Sequence, residues 1–118
     1  MSCDEGLVQR IRGDLKTLPG IGERRMFGGA CFTLNGHMVF GVVKDELMVR
    51  VGGDAYEAAL AVRHARPMDF TGRPMKGYVF IEAAGIRADA ALWNWLERGL
   101  KFVRTLPAKV PKARARSN

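Results

Sequence analysis

The sequence is poor in the residues most often used for chemistry. It has two cysteines and two histidines. Cys3 and Cys31 form no Cys-x-x-Cys pair and have no histidine near them, so two reduced thiols are expected rather than a disulfide or redox pair. His37 and His64 are far apart in sequence and lack the spaced partners of a metal site. The only serines, Ser2 and Ser117, lie at the ends of the chain, and no Gly-x-Ser-x-Gly occurs. This argues against a serine-nucleophile hydrolase. No Gly-x-x-x-x-Gly-Lys or Gly-x-Gly-x-x-Gly pattern is present. Long apolar runs are missing too. The longest, Met38 to Val43, includes a glycine and is far below the ~20 residues of a membrane span. The N-terminus has no basic region followed by an apolar stretch, so no signal peptide is expected and the expected compartment is the cytoplasm. These shortages point to a non-enzymatic protein without cofactor or metal.

Other features are abundant. With 118 residues, 47% of them hydrophobic, one domain with a real core is expected. The net charge of +7 is uneven. Residues 107–118 carry Lys109, Lys112, Arg114 and Arg116 and no acid; 19 basic residues less these four leave 15 against 12 acidic ones, a net +3 for the body. The expected organisation is a folded unit over residues 1–106 followed by a basic, disordered tail over 107–118. That tail is a candidate for weak, salt-sensitive nucleic-acid binding, or a solubilising end.

Periodicity gives the elements. Ser2-x-x-Glu5 fits a capping box. Leu7, Val8, Ile11, Leu15 and Leu18 then follow at helical spacing, predicting a helix over about 4–17. Residues 25–34 read as a strand that begins irregularly at Gly28-Gly29. Asn35-Gly36 signals a type I′ hairpin. His37–Val43 and Leu47–Val51 complete a three-stranded meander. Asp54-x-x-Glu57 resembles a second capping box before a helix over 55–64, closed by Pro67. Residues 68–70 read as a short strand, Thr71-Gly72-Arg73-Pro74 as a turn, and 76–82 as a stronger strand. Asp89 is placed to cap a last helix to about Leu106, with Leu92, Leu96, Gly99, Val103 and Leu106 in one stripe. Trp93 and Trp95 point in different directions on it, one expected in the core. The order α-β-β-β-α-β-β-α implies a two-layer α+β fold, with a five-stranded, mainly antiparallel sheet and helices on one side.

One block stands out: Arg24-Arg25-Met26-Phe27-Gly28-Gly29. As an anion or partner site, the arginines supply planar guanidinium groups, Phe27 an anchor, and the glycines close backbone approach. The alternative is structural: one arginine pairs with a carboxylate, the other is solvated, and Met26 and Phe27 are core or strand edge. Leu18-Pro19-Gly20-Ile21-Gly22 resembles the turn of a helix-hairpin-helix, or is a helix end and connector.

The first helix, this block, the Asn-Gly hairpin with Phe40 in its return strand, Gly77-Tyr78-Val79 and Leu92-x-x-Trp95 together resemble the TfoX N-terminal domain family, over about residues 4–105. The resemblance implies a fold similar to that of secretion chaperones. It also implies a link to bacterial competence regulators, which act in transcription beside a DNA-binding factor and carry a second, C-terminal domain. The expected function is therefore protein–protein interaction, the partner being a transcription factor or polymerase component by resemblance. Homodimerisation, nucleic-acid binding through the tail, and binding of a small anion near Arg24 and Arg25 are the alternatives.

Overall fold

The computed structural model describes residues 3–26, 28–68 and 75–107. The chain begins with α1 (Glu5–Leu15). Its cap is Asp4, whose Oδ1 accepts the Leu7 N–H at 3.1 Å, and not the expected Ser2 box. Ser2 lies outside the described residues, and the Glu5 carboxylate goes to Arg25 instead of back to the helix start. Leu7, Val8, Ile11 and Leu15 bury one face.

Four strands follow in a meander: β1 (Ile21–Met26), β2 (Gly29–Leu34), β3 (His37–Val43) and β4 (Glu46–Arg50). The expected single strand over 25–34 is thus corrected to a hairpin. Residues 21–26 form a strand of their own, laddered from Ile21↔Leu34 to Met26↔Gly29. Gly28, at φ +76, reverses the chain where an L side chain would be strained. Helix gives way to sheet at Pro19-Gly20, earlier than the double glycine. At the next turn Asn35 and Gly36 have φ of 52 and 88, the two positive values a type I′ turn needs. Between β2 and β3 the register moves from Phe32↔Phe40 to Thr33↔Met38. Val39 is the extra residue of this bulge, so consecutive Val39 and Phe40 are both fully buried.

The second helix is α2 (Tyr56–Leu60), half the expected length, and Asp54 does not cap it: Ala55 takes the cap position with no side-chain bond. The chain turns instead at His64, whose φ is 74, and enters β5 (Ala65–Pro67). Pro67 therefore sits in a strand rather than ending a helix, which an edge strand tolerates because half its N–H groups face away from the ladder. Of the expected 68–70 strand, Met68 follows β5, while Asp69 and Phe70 lie outside the described residues, as does the 71–74 turn. Then come β6 (Tyr78–Ile81), a 3-10 turn (Ala83–Gly85) and α3 (Asp89–Val103). Ala88, not Asp89, holds the α3 cap position, because Asp89 lies one residue inside the helix and its carboxylate meets Arg10 at 3.3 Å.

Among the described residues the sheet is antiparallel throughout and has six strands, in the order β1-β2-β3-β4-β6-β5. The helices α1, α2 and α3 all bury side chains in one cluster with Phe32, Phe40, Leu47, Val49 and Ile81, so this helical layer covers one face. A smaller cluster of Met48, Met68 and Phe80 lies apart from it. Gly99 lets α3 approach the sheet: a Cβ there would lie 2.7 Å from Phe40 and 2.9 Å from Val39. Trp95 is buried and Trp93 exposed, the division the helical spacing predicts.

Candidate functional site

Adjacent residues of a strand face opposite ways, and this separates the two arginines. Arg25 lies on the helical side. Its Nη1 and Nη2 donate to Glu5 at 2.5 and 2.8 Å, and Nη1 sits 3.6 Å from the Cys3 sulfur. Glu23, on the same side, accepts from Arg12 Nε and Nη2 at 2.9 and 2.7 Å and lies 3.9 Å from Arg25. Two fork-on-fork pairs thus lash α1 to β1. Hydrogen bonding to the guanidinium groups holds both carboxyls below their ordinary value of 4.5 and raises the pKa of Arg12 and Arg25. Both carboxyls have a folded pKa below the unfolded one. Their contribution is complete above the unfolded value and is lost as pH falls through the lowered folded one. Acidification through about pH 4 and below is therefore expected to lower the urea midpoint, and Glu5→Gln with Glu23→Gln should flatten that dependence.

Arg24 lies on the other face and is exposed. It has no hydrogen-bond or ion-pair partner among the described residues. The ladders place it at one end of a row across all six strands: Arg24, Cys31, Gly41, Met48, Phe80, Arg66. Arg66 is anchored, lying over the Phe80 ring at 4.9 Å and pairing with Glu46. The Met48 methyl group would be 3.1 Å from a Cβ at Gly41. Cys31 is buried, which pushes its thiol up, and Arg24 pulls it back by a lesser amount. This does not make an activated nucleophile.

The block read from sequence is therefore only partly brought together. Arg24, Arg25, Gly28 and Gly29 share one hairpin, but Arg25 is engaged with α1, and Gly28 and Gly29 form the turn and its first ladder pair. Phe27 and the Met26 side chain lie outside the described residues, as do Lys109, Lys112, Arg114 and Arg116. Ile21 opens a strand, so Leu18–Gly22 leads into sheet rather than a second DNA-binding helix. No group of three His, Cys, Asp or Glu among the described residues could hold a metal ion. His37 contacts the Pro107 carbonyl at 2.5 Å, and His64 lies 3.6 Å from Glu82.

Glu5 and Glu23, which fix Arg25, and Arg12, which pairs with Glu23, did not stand out in the sequence. Nor did β1 as a sheet edge. Both edges differ in kind. β5 has three residues and ends in proline, whereas β1 has six. A groove of about 250 Å³ runs between α1 and β1, and an open cleft of about 1230 Å³ between α3 and the start of α2. Arg98, Lys101 and Arg104 stand on that cleft beside Asp54 and Glu97, a mixed charged surface without a convergent site.

The family model of the TfoX N-terminal domain matches residues 14–103, from the last turn of α1 to the end of α3. No curated protein and no solved structure matches the chain.

Proposed function

The chain belongs to the TfoX N-terminal domain family, and from that premise we propose that it is a non-enzymatic protein-interaction domain whose contact surface is the first hairpin. The observation that carries this reading is the asymmetry of the arginine pair. Arg25 is held by Glu5, while Arg24 stands exposed beside it with its charge uncompensated. Arginine is enriched among the residues that dominate interface energies. A small anion is favoured less, because the two guanidinium groups diverge and do not converge on one ligand. The likeness to competence regulators supports a partner in transcription control and work in the cytoplasm. No helix among the described residues is long and apolar enough to cross a membrane.

Affinity capture from a native lysate tests this. Arg24→Ala removes no intramolecular bond, so its melting temperature should match the parent's. Capture of the partner should fall about tenfold or more, the effect of losing an interface arginine worth over 1.4 kcal/mol. Equal capture by both proteins would remove Arg24 from the reading.

A further inference from the structure

The free edge of β1 can be read group by group. The Asn35 N–H donates to the Gly20 carbonyl at 2.9 Å, so 20 and 35 face each other as a hydrogen-bonded pair. Such pairs alternate along an antiparallel ladder. Gly22, Arg24 and Met26 therefore turn their backbone groups toward β2. Ile21, Glu23 and Arg25 turn theirs outward, where no strand pairs with β1 among the described residues. That leaves three N–H and three C=O groups in register along six residues, an open template for another strand.

Both sides of this edge are shaped. On the helical side lies the groove of about 250 Å³, lined by Leu15, Leu18, Ile21 and Phe32 with Arg12 and Lys16 at its rim. Arg12 is engaged by Glu23, but Lys16 has no partner among the described residues. On the other side stands Arg24, without a partner among the described residues, and beside it on the same face the Thr33 hydroxyl closes over Gly22, where a Cβ would lie 2.7 Å from it. The edge thus carries uncompensated positive charge on both faces and an apolar slot on one.

We infer that β1 is the docking edge for an extended acidic peptide segment of a partner protein, which adds antiparallel as a seventh strand. The inference rests on the interaction reading above. Charge decides the occupant. A two-fold pairing of two β1 strands centred on residue 23 sets Glu against Glu, and one centred on 25 sets Arg against Arg. One centred on 24 sets Arg24 against its copy, and its flanking pairs of Glu23 with Arg25 join side chains already engaged by Arg12 and Glu5, in a chain of net charge +7. A strand with an acid opposite Arg24 and a neutral residue opposite Glu23 meets no such conflict. Arg24 falls in a non-hydrogen-bonded pair, where facing side chains come closest, and so selects Asp or Glu opposite it. Three residues later the added strand faces Ile21, where an apolar side chain enters the groove.

The probe is a fluorescein-labelled peptide, Thr-Val-Thr-Glu-Thr-Val-Leu-Thr, titrated against the full chain. Binding should be saturable, and hydrogen exchange at the Ile21, Glu23 and Arg25 amides should slow. Replacing the peptide glutamate by lysine should weaken binding about tenfold, an opposite-charge pair becoming a like-charge one. Arg24→Glu should reverse that preference. N-methylation of the third, fifth and seventh peptide residues should abolish binding to the unaltered protein, and Glu23→Pro should do the same from the protein side. Equal binding of the Glu and Lys peptides, binding by the N-methylated peptide, or unchanged exchange at those amides would overturn the proposal. So would a dimer of the free chain that already protects them. A partner captured in an Arg24-dependent way but indifferent to Glu23→Pro would leave the interaction reading standing and remove strand addition. Peptide addition with partner capture indifferent to Arg24 would do the reverse.

Discussion

Phe40→Ala is expected to destabilise the protein by about 3–5 kcal/mol, lowering its melting temperature by roughly 12 °C or more. Phe40 is fully buried in the middle of β3, paired with Phe32 on one side and Val49 on the other. Its ring lies directly beneath Gly99 of α3. Truncation removes the transfer free energy of the ring and leaves a cavity that the stiff ladder cannot collapse around. Domains of this size have only about 5–15 kcal/mol in total. The same contact predicts a coupling. Gly99→Ala alone presses a methyl group into Phe40, Val39 and Val49, at 2.7, 2.9 and 3.1 Å. With the ring gone, that methyl group occupies vacated space. The double variant should therefore be more stable than the sum of the single losses by about 0.5 kcal/mol or more. Additive losses in urea unfolding would mean that α3 does not bear on Phe40 as described.

Gly52→Ala should be nearly as damaging, for two separate reasons. The backbone there has φ +85, where an L residue costs roughly 1–2 kcal/mol. A Cβ would also lie 2.3 Å from the Phe102 ring, and overpacking of this kind costs about 1–3 kcal/mol. The ring cannot retreat freely. Arg50 lies between Phe102 and Tyr78, 5.5 and 5.7 Å from their centroids, and its Nη1 donates to the Met38 carbonyl at 3.4 Å. Displacing Phe102 dismantles this stack and loosens the last turn of α3. The measurement is the melting temperature together with amide exchange over residues 100–104. A melting temperature within 2 °C of the parent, about the shift expected for half a kcal/mol, would contradict the contact.

Where the sequence carried a clear period, the elements were legible. The i, i+3, i+4 spacing of Leu7, Val8, Ile11 and Leu15, and of Leu92, Leu96 and Val103, found α1 and α3. Asn35-Gly36 located the β2–β3 turn. β1 was not legible, because Ile-Gly-Glu-Arg-Arg-Met has no apolar alternation. Its strand character comes from the ladder with β2 and from ion pairs to α1, with Arg12 11 residues away from Glu23 and Glu5 20 residues away from Arg25. Local preference says nothing about such partners. At α2 the alanines favoured a longer helix, and the reversal at His64 toward pairing with β6 overrode them. The candidate site shared this limit. Arg24 and Arg25 were visible as a pair, but their divergence could be seen only once the strand period of 2 was known.

The strand order also bears on the order in which the molecule is made. The four strands of the meander are neighbours in both sequence and space, so each can pair with the one before it soon after it leaves the ribosome. The helical layer is completed differently. Arg10 of α1 reaches the carbonyls of Ile86 and Arg87, 76 and 77 residues further on, and α3 is the last described element to be synthesised. Until it arrives, the side of β3 and β4 bearing Phe40 and Val49 faces water or another chain. At translation rates of roughly 5–20 residues per second, that exposure lasts on the order of seconds, and a nascent chain stalled before residue 89 would carry it for as long as the stall persists.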